Sequence, residues 1–357
     1  MATVPERRVL LTGGAGFVGA NLAVSLAELH PDWELIALDN LMRRGSELNL
    51  PRLRAAGVRF QHGDVRQTAD LLALPHIDAI LECSAEPSVL AGFQNPGAVV
   101  DTNLTGAWNC LQLALRDRAQ FVFLSTSRVY PVQPLSTLNL DDAETRFELA
   151  DEQPYPGVTR AGISEQFPLE GARTMYGASK LAAELLIEEC RQSGGLQATI
   201  NRCGVIAGPW QMGKVDQGVF THWLISHRLG RPLSYIGFGG SGHQVRDVLH
   251  IDDLRELIEE QLKSPQQWDG LVANVGGGAD GSLSLVETTA LARELSGNEV
   301  PITPELEQRP GDVPIYISDC GRLFEHTSWR PRRDPRTVLA DTWDWICDHE
   351  SELKAAF

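Results

Sequence analysis

Short apolar runs alternate with helical patterns through the first half of the chain, and this alternation restricts the fold more than any other feature. Apolar runs bounded by turn residues or charge are typical of buried strands. Helical periodicity is clearest at 17–29, 98–115 and 176–191. The predicted strands are Arg8–Leu11, Glu34–Leu38, Val58–Gln61, Ile77–Leu81, Phe121–Ser125 and Ala198–Arg202. The pattern predicts an α/β fold, with a doubly wound parallel sheet covered by helices on both faces.

The alternation weakens from about Gly204, where Gly and Pro become frequent. We therefore predict a larger domain from residues 1–203 and about 245–273, and a smaller C-terminal substrate-binding lobe from 204–244 and 274–357. The long acidic segment at 131–173 fits a surface excursion or a substrate loop, since long loops in compact domains are often functional.

The composition limits the partners and the compartment. A net charge of −16 disfavours nucleic acid and anionic membranes, so a phosphorylated substrate would need local cations. No apolar run is long enough for a transmembrane helix, and the N-terminus lacks a signal-peptide core. The six cysteines are scattered without CxxC pairs, so we expect reduced thiols, no metal site and a cytoplasmic protein.

A glycine motif, Gly14-x-Gly16-x-x-Gly19, follows the first strand and opens the first helix. Glycine there permits a tight turn and close approach of a pyrophosphate, which the helix N-terminus attracts. Asp39 follows Gly19 at the end of the second strand, where a carboxylate binds the ribose hydroxyls and repels a 2′-phosphate. This Rossmann-type pattern predicts NAD as the cofactor, in preference to NADP. Asp64, at the end of the third strand, is either an adenine contact or a turn residue.

Tyr176-x-x-x-Lys180 lies at the start of a strongly helical segment, which puts both side chains on one helix face. A nearby ammonium and a positive nicotinamide ring would lower the pKa of the tyrosine, so that it can act as a general base. The third member of the site is expected among Ser125, Thr126 and Ser127, where the fifth strand ends.

With these motifs, the chain resembles the extended short-chain dehydrogenase/reductase family of NAD-dependent nucleotide-sugar enzymes over nearly its whole length. The motifs are TGGAGFVG, DNL at 39–41, STSRVY at 125–130, YGASK at 176–180 and VRDVLHIDDL at 245–254. The resemblance implies Thr126, Tyr176 and Lys180 as catalytic residues. The implied cofactor contacts are Gly13, Gly16, Phe17, Val18, Gly19, Asp39, Asn40, Asp64, Val65, Ser84, Tyr176 and Lys180.

One segment departs from the family pattern. Many members carry His-x-Ala-Ala where this chain has ECSAEP, so Glu82 replaces the histidine. We expect little effect, because this segment mainly offers its backbone to the cofactor.

Within the family, dehydratases carry Asp-Glu directly after the strand-end threonine, and decarboxylases tend to have a glutamate first. Here Ser127 and Arg128 stand there, which disfavours both reactions. The blocks at 216–218, beginning with Asp216, and at 244–250 resemble the CDP-paratose (CDP-tyvelose) 2-epimerases. The resemblance implies transient oxidation at C2 of a CDP-deoxyhexose and reduction from the opposite face. A 4-epimerase, a net nucleotide-sugar oxidoreductase and a non-catalytic NAD sensor remain as alternatives.

The resemblance also implies how the substrate is held. Arg246 and Arg309 would grip its diphosphate, since Arg suits bidentate phosphate contacts. The alternative for Arg246 is an ion pair with Asp252 or Asp253. The full set of implied substrate contacts is Ser127, Asn201, Gln217, Arg246 and Arg309. A homodimer or larger homo-oligomer is expected, packed through the helices at 98–115 and 176–191.

Overall fold

The computed structural model describes residues 5–213 and 217–356, with side chains described as far as residue 353. The strands are β1 Arg7–Thr12, β2 Trp33–Asp39, β3 Arg59–His62, β4 Ala79–Glu82, β5 Gln120–Thr126, β6 Leu140–Asp142, β7 Phe147–Leu149, β8 Val158–Thr159, β9 Gly162–Ile163, β10 Ala198–Cys203, β11 Val205–Ala207, β12 Leu233–Ile236, β13 Val245–His250, β14 Val272–Val275, β15 Ser282–Ser284, β16 Ile302–Glu305 and β17 Ile315–Tyr316. The helices are α1 Phe17–Leu29, α2 Leu50–Ala55, α3 Thr68–Leu72, α4 Val89–Gln94, α5 Pro96–Val100, α6 Gly106–Asp117, α7 Val132–Ser136, α8 Met175–Gly194, α9 Val219–Leu229, α10 Ile251–Lys263, α11 Pro265–Trp268, α12 Leu285–Ser296, α13 Gly321–His326, α14 Pro335–Asp348 and α15 Glu350–Ala356.

The central sheet has seven strands in the order β14-β10-β5-β4-β1-β2-β3. Strand β1 pairs in parallel with both β2 and β4, and these continue in parallel to β3 and β5. The chain winds outward from β1 in both directions, which confirms the predicted doubly wound sheet. The order reverses between β1 and β4, the switch point at which folds of this class bind ligands.

Six of the seven strands lie where the sequence predicts them, and α1 has the predicted bounds. The seventh, β14, was not predicted. Its four residues follow an irregular stretch and carry too little pattern to separate a strand from a loop. The predicted helix at 98–115 lies within a continuous helical segment, in which a π-helical turn at Asp101–Thr105 joins α5 to α6.

The chain divides into two compact units. The first comprises residues 5–125, Ala178–Asn201 and Arg255–Val272, and the second comprises Thr126–Gly177, the described part of 202–254, and residues 273–356. This division differs from the predicted boundaries at 126–177 and 245–254, which belong to the second unit. The reason at 245–254 is strand pairing: β13 pairs with β11, β15 and β17, all of them in the second unit.

The 131–173 segment carries its own structure within the second unit. It contains α7 and the two small antiparallel pairs β6–β7 and β8–β9. The Phe147 amide donates to the His243 carbonyl (2.9 Å) and the Ile163 amide to the Ile317 carbonyl (2.8 Å). The segment is therefore tied at both hairpins to the body of the unit. Among the described residues, none of the helices combines the length and the apolar character that crossing a bilayer requires.

Candidate active site

The glycine loop between β1 and α1 is packed so closely that side chains would not fit. Gly13 has a φ of +59°, and a Cβ there would lie 3.0 Å from the carbonyl oxygen of Cys83, which follows β4. A Cβ on Gly19 would lie 2.3 Å from the Gly13 oxygen, and one on Gly14 would lie 2.6 Å from Ala37. The loop thus holds the backbone of β1, α1 and β4 together at the switch point of the sheet. That is the cradle a pyrophosphate needs.

Asp39 closes this cradle from the end of β2. Its Oδ2 accepts a hydrogen bond from the Ala15 amide (3.1 Å), and its Oδ1 accepts one from the Leu41 amide (2.8 Å). Each carboxylate oxygen has a further lone pair for a donor such as a ribose hydroxyl. Gly16 lies directly before α1 and has no side chain. The first turn of the helix, with Phe17 and Val18, therefore has no side-chain cap on its backbone amides. These residues fit an NAD dinucleotide.

Asp64 accepts hydrogen bonds from two neighbouring side chains, which the sequence does not indicate. Its carboxylate accepts hydrogen bonds from the Arg66 guanidinium and, at 3.1 Å, from the Asn40 side-chain amide. Arg66 is the main reason that the pKa of Asp64 falls to about 2. Asp64 therefore holds its local turn as an ion pair, and Val65 beside it packs against Gly106. Their contact with an adenine remains a prediction.

Lys180 forms a buried ion pair that the sequence reasoning missed. Its Nζ lies 3.1 Å from Glu82 Oε2, and the side chains are 2% and 1% exposed. The other Glu82 oxygen accepts a hydrogen bond from the Ser84 hydroxyl, and Lys180 Nζ lies 3.4 Å from the Ser84 carbonyl oxygen. Glu82 therefore offers more than its backbone, because its carboxylate is the charged partner of the predicted catalytic lysine.

The second unit positions the strand-end hydroxyls against the start of α8. Thr126 Oγ1 accepts a hydrogen bond from the Arg128 amide (3.1 Å) and so caps a short 3₁₀ turn over Ser127–Val129. A Cβ on Gly177 would lie 1.9 Å from the Arg128 carbonyl oxygen. Only glycine allows this approach, which brings Tyr176 to the turn that follows Thr126.

A cavity in the second unit lies beside this turn and contains two arginines. Its lining residues are Ser127, Arg128, Tyr130, Val132, Leu135, Thr174, Val205, Arg246, Val313 and Tyr316. Burial lowers the pKa of Arg128, and the nearby Arg246 lowers it further, while Asp312 and Tyr176 oppose this. The Arg246 guanidinium and the Tyr176 hydroxyl therefore both act electrostatically on Arg128. The 131–173 segment contributes Val132 and Leu135 to the wall of this cavity.

The turn at residues 309–312 holds both arginines. Arg128 donates to the Gly311 carbonyl (2.8 Å), and Arg246 donates to Asp312 (2.6 Å) and to the Val313 carbonyl (2.7 Å). The ion-pair partner of Arg246 is thus Asp312, and the suggested pairing with Asp252 or Asp253 is not the one found. Arg309 starts the same turn and lowers the pKa of His222 after burial has lowered it.

The two remaining predicted substrate contacts are Asn201 and Gln217. Asn201 on β10 is completely buried, and its amide exchanges two hydrogen bonds with the Gln261 amide, at 2.9 and 2.8 Å. In the structure its partner is therefore Gln261, and its contact with substrate stays a prediction. Gln217 lies just before α9 and remains a prediction, and Asp216 beside it lies outside the described residues.

Glu82, Arg128 and Asp312 are candidates that the sequence reasoning did not assign. In the sequence, Arg128 indicates only that no carboxylate follows Thr126. Glu82 had a usable signal, since a charged residue ends an apolar strand. Asp312 has no such signal, because its partner Arg246 lies 66 residues away in the sequence.

Known proteins resemble this chain along its length. CDP-paratose 2-epimerase of Salmonella typhi is 28% identical over 350 residues, covering 95% of this chain and 98% of that protein. UDP-glucose 4-epimerase of Bacillus subtilis is 26% identical over 98% of this chain and 99% of that protein. The dTDP-glucose 4,6-dehydratase structure from Streptomyces venezuelae, with NAD and TYD bound, has a TM-score of 0.77 at 27% identity and covers 98% of this chain and 100% of that one.

A sequence profile matches residues 9–276, which include the glycine loop, Thr126, Tyr176, Lys180 and Arg246. It describes the NAD dependent epimerase/dehydratase family. The match confirms the resemblance inferred from the motifs and covers well over half of the chain. This protein is an enzyme that belongs to the NAD dependent epimerase/dehydratase family.

Proposed function

We propose that this enzyme is a redox-neutral nucleotide-sugar epimerase, which oxidises one carbinol of the sugar and reduces it again from the opposite face. The observation that carries the proposal is the pair of residues after Thr126. Elimination of water needs an acid and a base at the sugar. Ser127 and Arg128 stand there, and a guanidinium stays protonated and cannot act as a base. Without elimination, the keto-sugar has only reduction open to it.

The chain's own residues have distinct roles in this reaction. Tyr176 removes the proton from the reacting hydroxyl and returns it, and Thr126 positions that hydroxyl. Lys180, one helical turn from Tyr176 on α8, supplies the positive charge that favours the phenolate. When bound, NAD supplies a hydride acceptor that gives the hydride back within the same turnover.

Inversion requires the sugar to turn over while its diphosphate stays anchored. Arg246 and Arg309 are the proposed anchors, and both belong to the group of residues around the 309–312 turn. Because Arg246 is paired with Asp312, a diphosphate would replace this carboxylate as its partner. Arg128 lines the same cavity as Arg246 and is the second cation in its wall. The protein is acidic overall, and these arginines supply the local positive charge that an anionic substrate would need.

The choice of C2 of a CDP-deoxyhexose is supported by similarity to the Salmonella typhi 2-epimerase and by the blocks at 216–218 and 244–250. Inversion at C4 is the second candidate, supported by similarity to the UDP-glucose 4-epimerase.

We also propose a homodimer through α6 and α8. Trp108 on α6 is 40% exposed and Leu185 on α8 is 68% exposed, so each helix offers a large apolar side chain. Light scattering coupled to size exclusion measures the assembly.

Deuterium-labelled substrate tests the reaction. CDP-, UDP-, GDP- and dTDP-sugars are screened first, and the accepted sugar is then labelled at the inverted carbon. The proposal expects the label to remain on that carbon, with none gained from D₂O and no net change in nicotinamide absorbance. Exchange with solvent would indicate deprotonation beside a carbonyl, and accumulation of reduced cofactor would indicate a net oxidoreductase. Retained label with inversion at C4 would refute only the C2 assignment.

A further inference from the structure

The Glu82–Lys180 pair is a buried charge pair in the first unit. Besides Glu82, Lys180 Nζ has the Ser84 carbonyl at 3.4 Å and the Phe123 ring, whose centroid is 4.3 Å away. A carbonyl and a ring face stabilise an ammonium only modestly, whereas a buried carboxylate at 3.1 Å balances its charge. Glu82 itself is oriented by the Ser84 hydroxyl, so the carboxylate has a fixed direction.

The other titratable groups near Lys180 do not replace Glu82. Cys110 on α6 is fully buried, and burial, followed by Glu82, raises its pKa well above the ordinary value, so its thiol stays neutral. Glu184, one turn further along α8, is buried and accepts a hydrogen bond from the Ser125 hydroxyl. Tyr176 lies one turn before Lys180 on the same helix. Among these groups, only Glu82 forms an ion pair with the ammonium.

We infer that Glu82 is a positioning residue, which keeps Lys180 charged and in place and thereby sets the pH at which Tyr176 becomes a base. The assignment of Tyr176 as the base rests on the proposed function. The effect of Glu82 on the charge of Lys180 does not depend on the proposed function, because a buried lysine without a counter-charge loses its proton. A neutral Lys180 would no longer favour the phenolate, so the pKa of Tyr176 would rise even though the Arg128 guanidinium still acts on it.

The test follows ionisation of Tyr176 directly, without substrate. Phenolate absorbance is titrated in the purified holoenzyme and in Tyr176→Phe, and the difference isolates Tyr176. Burial raises the pKa of Tyr130 to about 12 and that of Tyr316 well above its ordinary value, so neither contributes below pH 10. The same pair of titrations is made in the Glu82→Gln background. The expected midpoint for Tyr176 rises by about one pH unit or more in Glu82→Gln.

Two further variants make the result specific. Glu82→Asp keeps the charge at a greater distance, so its midpoint is expected between those of the wild type and Glu82→Gln. Glu184→Gln removes a buried carboxylate from the same helix and is expected to leave the midpoint in place. An unchanged or lower midpoint in Glu82→Gln overturns the inference. If Glu82→Gln fails to fold, Glu82→Asp decides, and a midpoint at or below the wild-type value overturns it.

The rate of the enzyme provides a second readout. The acid limb of kcat is expected to move to higher pH in Glu82→Gln, so that the loss is largest at low pH and shrinks as the pH rises. A merely structural role would lower kcat by the same factor at every pH. If the enzyme proves not to be an epimerase, the absorbance titration still stands, so failure of the proposed function and failure of this inference are separate results.

Discussion

Gly177→Ala probes the contact that brings the start of α8 to the Thr126–Arg128 turn. The added Cβ would lie 1.9 Å from the Arg128 carbonyl oxygen, whereas non-bonded heavy atoms approach to about 3.5 Å. The contact is therefore short by roughly 1.6 Å. Backbone lies on both sides, so no side-chain rotation relieves the overlap, and α8 or the turn has to move.

The displacement predicts two effects of different size. Overpacking of this kind typically costs about 1–3 kcal/mol of stability. A shift of about 1 Å in a catalytic group can cost about 10²-fold in rate. We therefore expect kcat to fall by about two orders of magnitude, together with a lower Tm. NAD affinity is expected to fall less than kcat, because the glycine loop and Asp39 lie in the other compact unit.

The assays are steady-state kinetics, differential scanning fluorimetry and NAD titration. Gly97→Ala is the matched control, because it makes the same change in exposed helix α5, where the nearest atom to a new Cβ is Asn95 Oδ1 at 3.8 Å. It is expected to keep wild-type kinetics and to be neutral or slightly stabilising. Near-normal kcat in Gly177→Ala would refute the argument that this contact positions Tyr176.

Four further predictions concern single side chains. Asp39→Ala is expected to weaken NAD binding and to reduce its preference over NADP, as measured by the two dissociation constants. Tyr176→Phe is expected to lower kcat by at least about 10²–10⁴-fold while NAD and substrate still bind. Arg246→Ala is expected to raise KM strongly with a smaller effect on kcat, because it removes uniform binding of the diphosphate. Burial raises the pKa of Asp247 to about 6, above the unfolded value of about 3.9. Because the folded state then binds more protons than the unfolded state, the free energy of unfolding falls as the pH rises between these two values. Asp247→Asn is expected to flatten the dependence of Tm on pH in that range.

Each of these predictions has an outcome that contradicts it. Unchanged NAD and NADP affinities in Asp39→Ala would place cofactor selection elsewhere, and full turnover in Tyr176→Phe would place the base elsewhere. Arg231→Ala, an exposed arginine of the same unit, is the control for Arg246→Ala, and an equal rise in KM would show a general charge effect. A Tm that keeps its slope between pH 4 and 6 in Asp247→Asn would assign the slope to another group.

Local patterns predicted what is local in this fold. Helix α1 lies at its predicted bounds because a glycine turn opens it and its apolar spacing is regular. The assignment of 126–177 to the second unit was not predicted, because it depends on backbone contacts with residues 243 and 317, far along the chain. The same limit applies to charge. The partners of Lys180 and Arg246 are 98 and 66 residues away, and no helical or strand spacing connects them.

The cavity beside the Thr126 turn contains a locally frustrated arrangement of charge. Burial lowers the pKa of Arg128, and repulsion from Arg246 lowers it further, in surroundings that include Val132, Leu135 and Val313. Asp312 offsets only part of this repulsion. If the substrate diphosphate binds here as proposed, it would offset the rest, so relief of this repulsion would contribute to its binding free energy. A neutral sugar relieves none of it. Under the proposed function, the cavity would therefore favour a charged ligand through its two arginines, independently of contacts with the sugar.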